Sequence, residues 1–144
     1  MWLIFAGAAS ALWGISYTLS EQVYKYVSIY TTLAIDLAIM AVAFFIVSML
    51  KGVFWQDVST VTHSPKVFWL FAAGLVVFAF AELFIALSIV SKNATLAGLI
   101  EISYPLFIAL FSYLLFQESE LNAGTALGGF LIFCGVAVVY WFSR

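Results

Sequence analysis

Five runs of apolar residues, each close to the length of a membrane span, alternate with short polar intervals along this chain. The runs are Trp2–Leu19, Val27–Leu50, Val67–Val90, Thr95–Phe116 and Ala123–Phe142. The intervals are Ser20–Tyr26, Lys51–Lys66, Ser91–Ala94 and Gln117–Asn122. A helix needs about 20 apolar residues to cross the hydrocarbon of a bilayer. The runs are continuous and lack the alternating pattern of barrel strands, so helices are the expected spanning element. The pattern predicts an all-α membrane protein with five transmembrane helices, residues 1–144 forming a single domain.

Composition agrees. Hydrophobic residues make up 66% of the chain and charged ones 8%, against about 25% charged in a soluble domain. Such a chain lacks the polar groups to cover a water-facing surface. Its net charge of -2 arises from five basic and seven acidic residues, too sparse for a nucleic-acid surface. The lone Cys134 excludes an intrachain disulfide framework and a thiolate metal cluster. Met1-Trp2-Leu3-Ile4-Phe5 has no basic n-region, so the first run reads as a retained span and not as a cleaved signal peptide.

Against this background three acids stand out: Asp36, Glu82 and Glu101. The midpoint of Glu82 and Glu101 falls between Ser91 and Lys92, so a hairpin about that turn places them at equal depth. Glu82 lies about 12 Å of helix before Val90, Glu101 about 9 Å after Thr95, and Asp36 about 13 Å into its own run. All three are expected in one layer inside the hydrocarbon. Ionisable groups there are costly and mark function. The competing reading is structural, each acid being neutral and hydrogen-bonded between helices, with Thr31 and Thr32 at hand for Asp36.

Other positions support packing or shape. Gly7, Ser10, Ala11, Gly14 and Thr18 put small residues on one face of the first run, where two backbones approach closely. Trp13 and Tyr17 are candidates to line a cavity. Phe54, Trp55, Val58 and Val61 recur at helical spacing in Lys51–Lys66, which predicts a short interfacial helix with Trp55 at headgroup depth. His63 in the same interval reads as an ordinary surface histidine. In the fourth run Glu101 shares a face with Tyr104, and Pro105 removes a backbone donor, kinks the helix and frees a carbonyl near Glu101. Gly124, Gly128 and Gly135 in the last run are expected to pack a neighbouring helix. Gln117-Glu118-Ser119-Glu120 ends the fourth span in water, and Trp141 and Arg144 mark the final interface.

Five spans put the termini on opposite sides. One side receives two basic side chains, Lys51 and Lys66, and the other three, Lys25, Lys92 and Arg144. Orientation follows the lysine and arginine excess, and this near-tie leaves single and dual insertion both open. A unit inserted in both directions forms an antiparallel dimer, the inverted repeat of many transporters.

The residues also carry a resemblance. Ala11-Leu12-Trp13-Gly14-Ile15-Ser16-Tyr17 looks like the Trp-Gly opening of an EamA-type unit of the drug/metabolite transporter superfamily. Leu99 to Leu110, with Glu101 and Pro105, resembles that unit's fourth helix. Gln117-Glu118 stands where the family places Gly-Glu, and Gly128 to Val136 is similar to its closing glycine-rich helix. The likeness spans nearly the whole chain in matching order. It implies a five-helix half-transporter that needs a second unit, another copy or a partner, to form a pore. Typical relatives carry two inverted units and move small metabolites. The smaller multidrug relatives have an essential glutamate in the first of four helices; here no acid precedes Glu21, so the resemblance does not extend to multidrug cation export.

The expected function is therefore a secondary transporter, proton-coupled and acting as a homodimer, for a small polar or amphipathic metabolite. Its substrate and proton sites are expected at Glu82, Glu101, Asp36, Tyr104, Trp13 and Tyr17. The alternatives are a non-transporting membrane subunit of a larger complex and a flippase for a lipid-linked substrate. No nucleophile–base set, metal spacing or phosphate loop points to an enzyme, a metal or a cofactor. The partners expected are lipid, substrate and a second copy, in a bacterial or archaeal plasma (inner) membrane.

Overall fold

The structure, a computed structural model, describes residues 1–118 and 122–143. Ser119 and Glu120 at the end of the fourth run, and Arg144 at the last interface, lie outside the described residues. Among the described residues the chain is helical throughout: α1 (Trp2–Val23), α2 (Ile29–Leu50), α3 (Phe54–His63), α4 (Pro65–Ser91), α5 (Ala94–Glu101), α6 (Tyr104–Phe116) and α7 (Ala123–Phe142). With α5 and α6 taken together, five helical segments are long and apolar enough to cross a membrane. Their large apolar side chains are exposed almost throughout, as lipid-facing surfaces should be, because tails solvate them as well as protein does.

The chain divides into two compact units. One comprises Met1–Glu21 and Ser88–Arg144, the other Gln22–Leu87.

In the second unit, Ser28 caps α2 by accepting from the Tyr30 N–H at 3.2 Å. The far end of α2 closes at Gly52, whose φ of 69° is left-handed. There the Gly52 N–H donates to Met49 O (3.0 Å) and the Val53 N–H to Ser48 O (3.2 Å), a paired closure for which glycine carries no steric cost. The turn folds α3 back, so that Phe54 meets Phe45 edge-on at 4.9 Å. The predicted short helix is thus present, with Trp55 70% exposed at its rim. The third span begins earlier than the apolar pattern suggested. Pro65 opens α4, its missing N–H costing nothing at a helix's first position, and the Phe68 N–H donates to Ser64 O at 2.9 Å.

In the first unit, α1 and α7 run antiparallel to α5. The Glu21 carboxylate near the end of α1 lies at the start of α5, and the Lys92 ammonium donates to the Ser143 carbonyl beyond α7 at 3.0 Å. Asn122 and Thr125 cap α7 reciprocally: the Asn122 N–H donates to Thr125 Oγ1 (2.8 Å) and the Thr125 N–H to Asn122 Oδ1 (3.0 Å). α6 closes on Gln117, a non-glycine residue with φ 59°; beyond it the Glu118 N–H donates to Ser112 O at 3.3 Å.

Candidate functional site

The fourth span is a helix interrupted by a tight turn at Ile102 and Ser103. An uninterrupted helix needs residue 105 to donate to the carbonyl of Glu101, and proline has no N–H. α5 therefore ends at Glu101, the Ser103 N–H folds back to Ile100 O (3.1 Å), and α6 restarts with Pro105 in its first turn. At the expected kink Ile102 and Ser103 keep right-handed backbone angles but tighten into a turn, and Glu101 is the last residue of α5 before it.

Directly across, Tyr17 of α1 donates its hydroxyl to Glu101 Oε1 at 2.9 Å. Both side chains are half-buried. The meeting follows from helix geometry. Tyr17 lies about 6 Å before Glu21 and Glu101 about 10.5 Å after Ala94, leaving an offset of about 4.5 Å between two antiparallel helices. Side chains lean toward the N-terminus of their own helix, so here the two lean toward each other and close that gap. Gly98 packs beside the tyrosine: a Cβ at that position would make an ordinary van der Waals contact, 3.7 Å from Tyr17 Cδ2. The Trp13 ring stands one turn away on α1, its centroid 5.3 Å from that of Tyr17.

The remaining expected positions are distributed as follows. Tyr104, exposed, is the first residue of α6. Glu82 is half-buried on α4 and Asp36 exposed on α2, both in the second unit. The single proton of the Thr32 hydroxyl goes to Ser28 O at 3.1 Å, so it does not donate to Asp36. Cβ atoms at Gly14, Gly128 and Gly135 would meet nothing within 4 Å, and one at Gly124 would meet the cap Asn122 Oδ1 at 3.2 Å. The glycine of α7 that does touch a neighbouring helix is Gly129, facing Leu106.

Sequence reasoning missed Glu21. Treated as part of a polar interval, it lies inside α1 and accepts from the Ala94 N–H at 2.8 Å. With Asn93 Oδ1 accepting from the Leu96 N–H at 2.8 Å, it satisfies the first turn of α5, whose amides otherwise lack partners. The available signal was its spacing: four residues after Tyr17, on the same face.

The profile of the EamA-like transporter family matches residues 1–141. The chain belongs to the EamA-like transporter family. Searches of curated proteins and of solved structures return no match. With five apolar helices, this EamA-like chain is an integral membrane protein of a transporter family. Its Tyr17–Glu101 contact lies where α5 gives way to the turn at Ile102 and Ser103.

Proposed function

We propose that this chain is a secondary transporter for a small polar or amphipathic metabolite, driven by protons, with Glu101 as the group at which proton and substrate compete. The observation that carries the reading is the Tyr17 hydroxyl donating to Glu101 at the break between α5 and α6. An ionised Glu101 accepts that hydroxyl and keeps further lone pairs for a donor on the substrate. A proton on Glu101 converts part of this acceptor set into a donor, weakens both contacts and releases the substrate. Alternation between the two states couples the flows. The interruption also leaves the Glu101 carbonyl without its usual helical donor, because Pro105 has no N–H.

Glu82 and Asp36 are proposed as further acids along the route, with Trp13 and Tyr104 as aromatic walls. A second copy inserted in the opposite sense completes the pathway. The near-tie of basic residues permits this arrangement, and the open space over Gly14, Gly128 and Gly135 gives a second copy room to pack. The proposed setting is a bacterial or archaeal plasma (inner) membrane. That open glycine face also suits the second reading, a non-transporting subunit that packs against a partner.

The test uses proteoliposomes carrying an internal pH dye, an imposed pH gradient and a panel of amino acids, nucleosides and amines. Proton movement should follow addition of a transported compound, and Glu101→Gln should abolish it in protein that remains helical and monodisperse. Unchanged flux in Glu101→Gln overturns the reading. Absence of any flux, with partner binding lost in Gly128→Leu, favours the subunit.

A further inference from the structure

Two polar rungs join α1 to α5, and the proposed mechanism uses one of them. Tyr17 meets Glu101 at 2.9 Å, and four residues later Glu21 meets the Ala94 amide at 2.8 Å. Between the rungs the contact face of α5 is almost featureless. Ala94 and Ala97 are 7% and 3% exposed, and Gly98 follows. Small residues allow close approach but resist sliding poorly, and in lipid no hydrophobic force sets the axial register of two apolar helices. A directional bond does. The carboxylate of Glu21 is held by an amide that is fixed in space by the helix it opens. It also sits at the positive end of that helix's dipole, which favours an anion. A slip of one helical turn, about 5.4 Å, would part Tyr17 from Glu101 entirely.

We infer that Glu21 is a positioning residue for transport: its bond to the Ala94 amide sets the register of α1 on α5 and so holds the Tyr17 hydroxyl on Glu101. The inference rests on the reading of Glu101 as the working carboxylate. Glu21 itself touches neither substrate nor proton.

The experiment incorporates 3-fluorotyrosine at position 17 of the full chain in lipid nanodiscs and follows its fluorine resonance, which reports whether the hydroxyl is hydrogen-bonded. Glu101→Gln calibrates the shift for an altered acceptor. Glu21→Ala should move the resonance in the same direction, as should Ala94→Pro, which removes the donor at a helix position where proline is tolerated. Glu21→Gln, whose amide oxygen still accepts, should leave it near the wild-type position. A merely structural Glu21 would lower thermal stability without moving the resonance. If Glu101→Gln shifts the signal while Glu21→Ala and Ala94→Pro do not, the inference is overturned and the role of Glu101 stands. If Glu101→Gln shifts nothing, the Tyr17–Glu101 contact itself fails and the inference fails with it. Either substitution at the second rung suffices should the other not fold.

Discussion

Gly129 and Leu106 approach so closely that a methyl group on the glycine would stand 2.6 Å from the leucine's Cδ2. Here α7 touches α6. One residue away, the corresponding position at Gly128 meets nothing within 4 Å. The two glycines, adjacent in sequence, therefore do different work.

A leucine at the two positions should separate these roles. Gly129→Leu overpacks the α6–α7 contact and is expected to cost about 1–3 kcal/mol, seen as a lower melting temperature in detergent. Gly129→Ala should be milder, because the tip of Leu106 can turn aside, and Leu106→Ala should relieve it. Gly128→Leu should leave the melting temperature of the monomer near wild type. If the second copy uses that face, Gly128→Leu weakens dimerisation in a concentration series instead.

At the site, Tyr17→Phe removes a hydrogen bond to a charged group, worth about 1.5–3 kcal/mol. Proton-coupled flux should fall by about 10-fold or more, without the complete loss expected of Glu101→Gln. The far-ultraviolet spectrum should not change, since Tyr17 makes this bond through its side chain alone. Wild-type flux in Tyr17→Phe would detach the hydroxyl from the mechanism.

Pro105→Ala restores a donor opposite the Glu101 carbonyl. α5 and α6 should then fuse, raising thermal stability by up to about 3 kcal/mol while flux falls. Stability and activity moving in opposite directions is the signature sought, by thermal melts and flux assays on one preparation. A variant that gains stability and keeps full flux would show that the break is not needed for transport.

Gln117 holds a left-handed φ of 59° at the end of α6, a conformation that costs a residue with a Cβ about 1–2 kcal/mol. Gln117→Gly should recover about 1 kcal/mol, less the greater freedom of glycine in the unfolded chain, and Gln117→Val should lose stability. Melting temperatures in detergent decide it. The resemblance drawn from sequence places glycine at this position, and the backbone supplies the physical reason.

The five spans were legible because length and continuity of apolar residues are local properties, and so was α3, whose amphipathic spacing is local too. The ends were less so. The apolar run stops at Leu19 because Ser20 and Glu21 are polar, yet Glu21 has its partner on another helix, which no window of neighbouring residues contains. Pro105 signalled a disturbance in the fourth span, but the turn at Ile102 and Ser103 became visible only in the backbone. Glu101 and Tyr17 each stand out in the sequence, for separate reasons. Their meeting depends on the register of α1 against α5, and that is set by the Ala94 amide. The layering of Glu82 with Glu101 follows in the sequence from distance to a shared turn; the two acids belong to different units of the structure, and their joint action is part of the proposal.

The jointed fourth span has a mechanical corollary. Its first eight residues are fastened at the head by Glu21 and Asn93, and the joint falls just after Glu101. Any swing at that joint carries Tyr104 and the rest of α6 with it and leaves the acid anchored to α1. The door would move and the lock would stay on its frame.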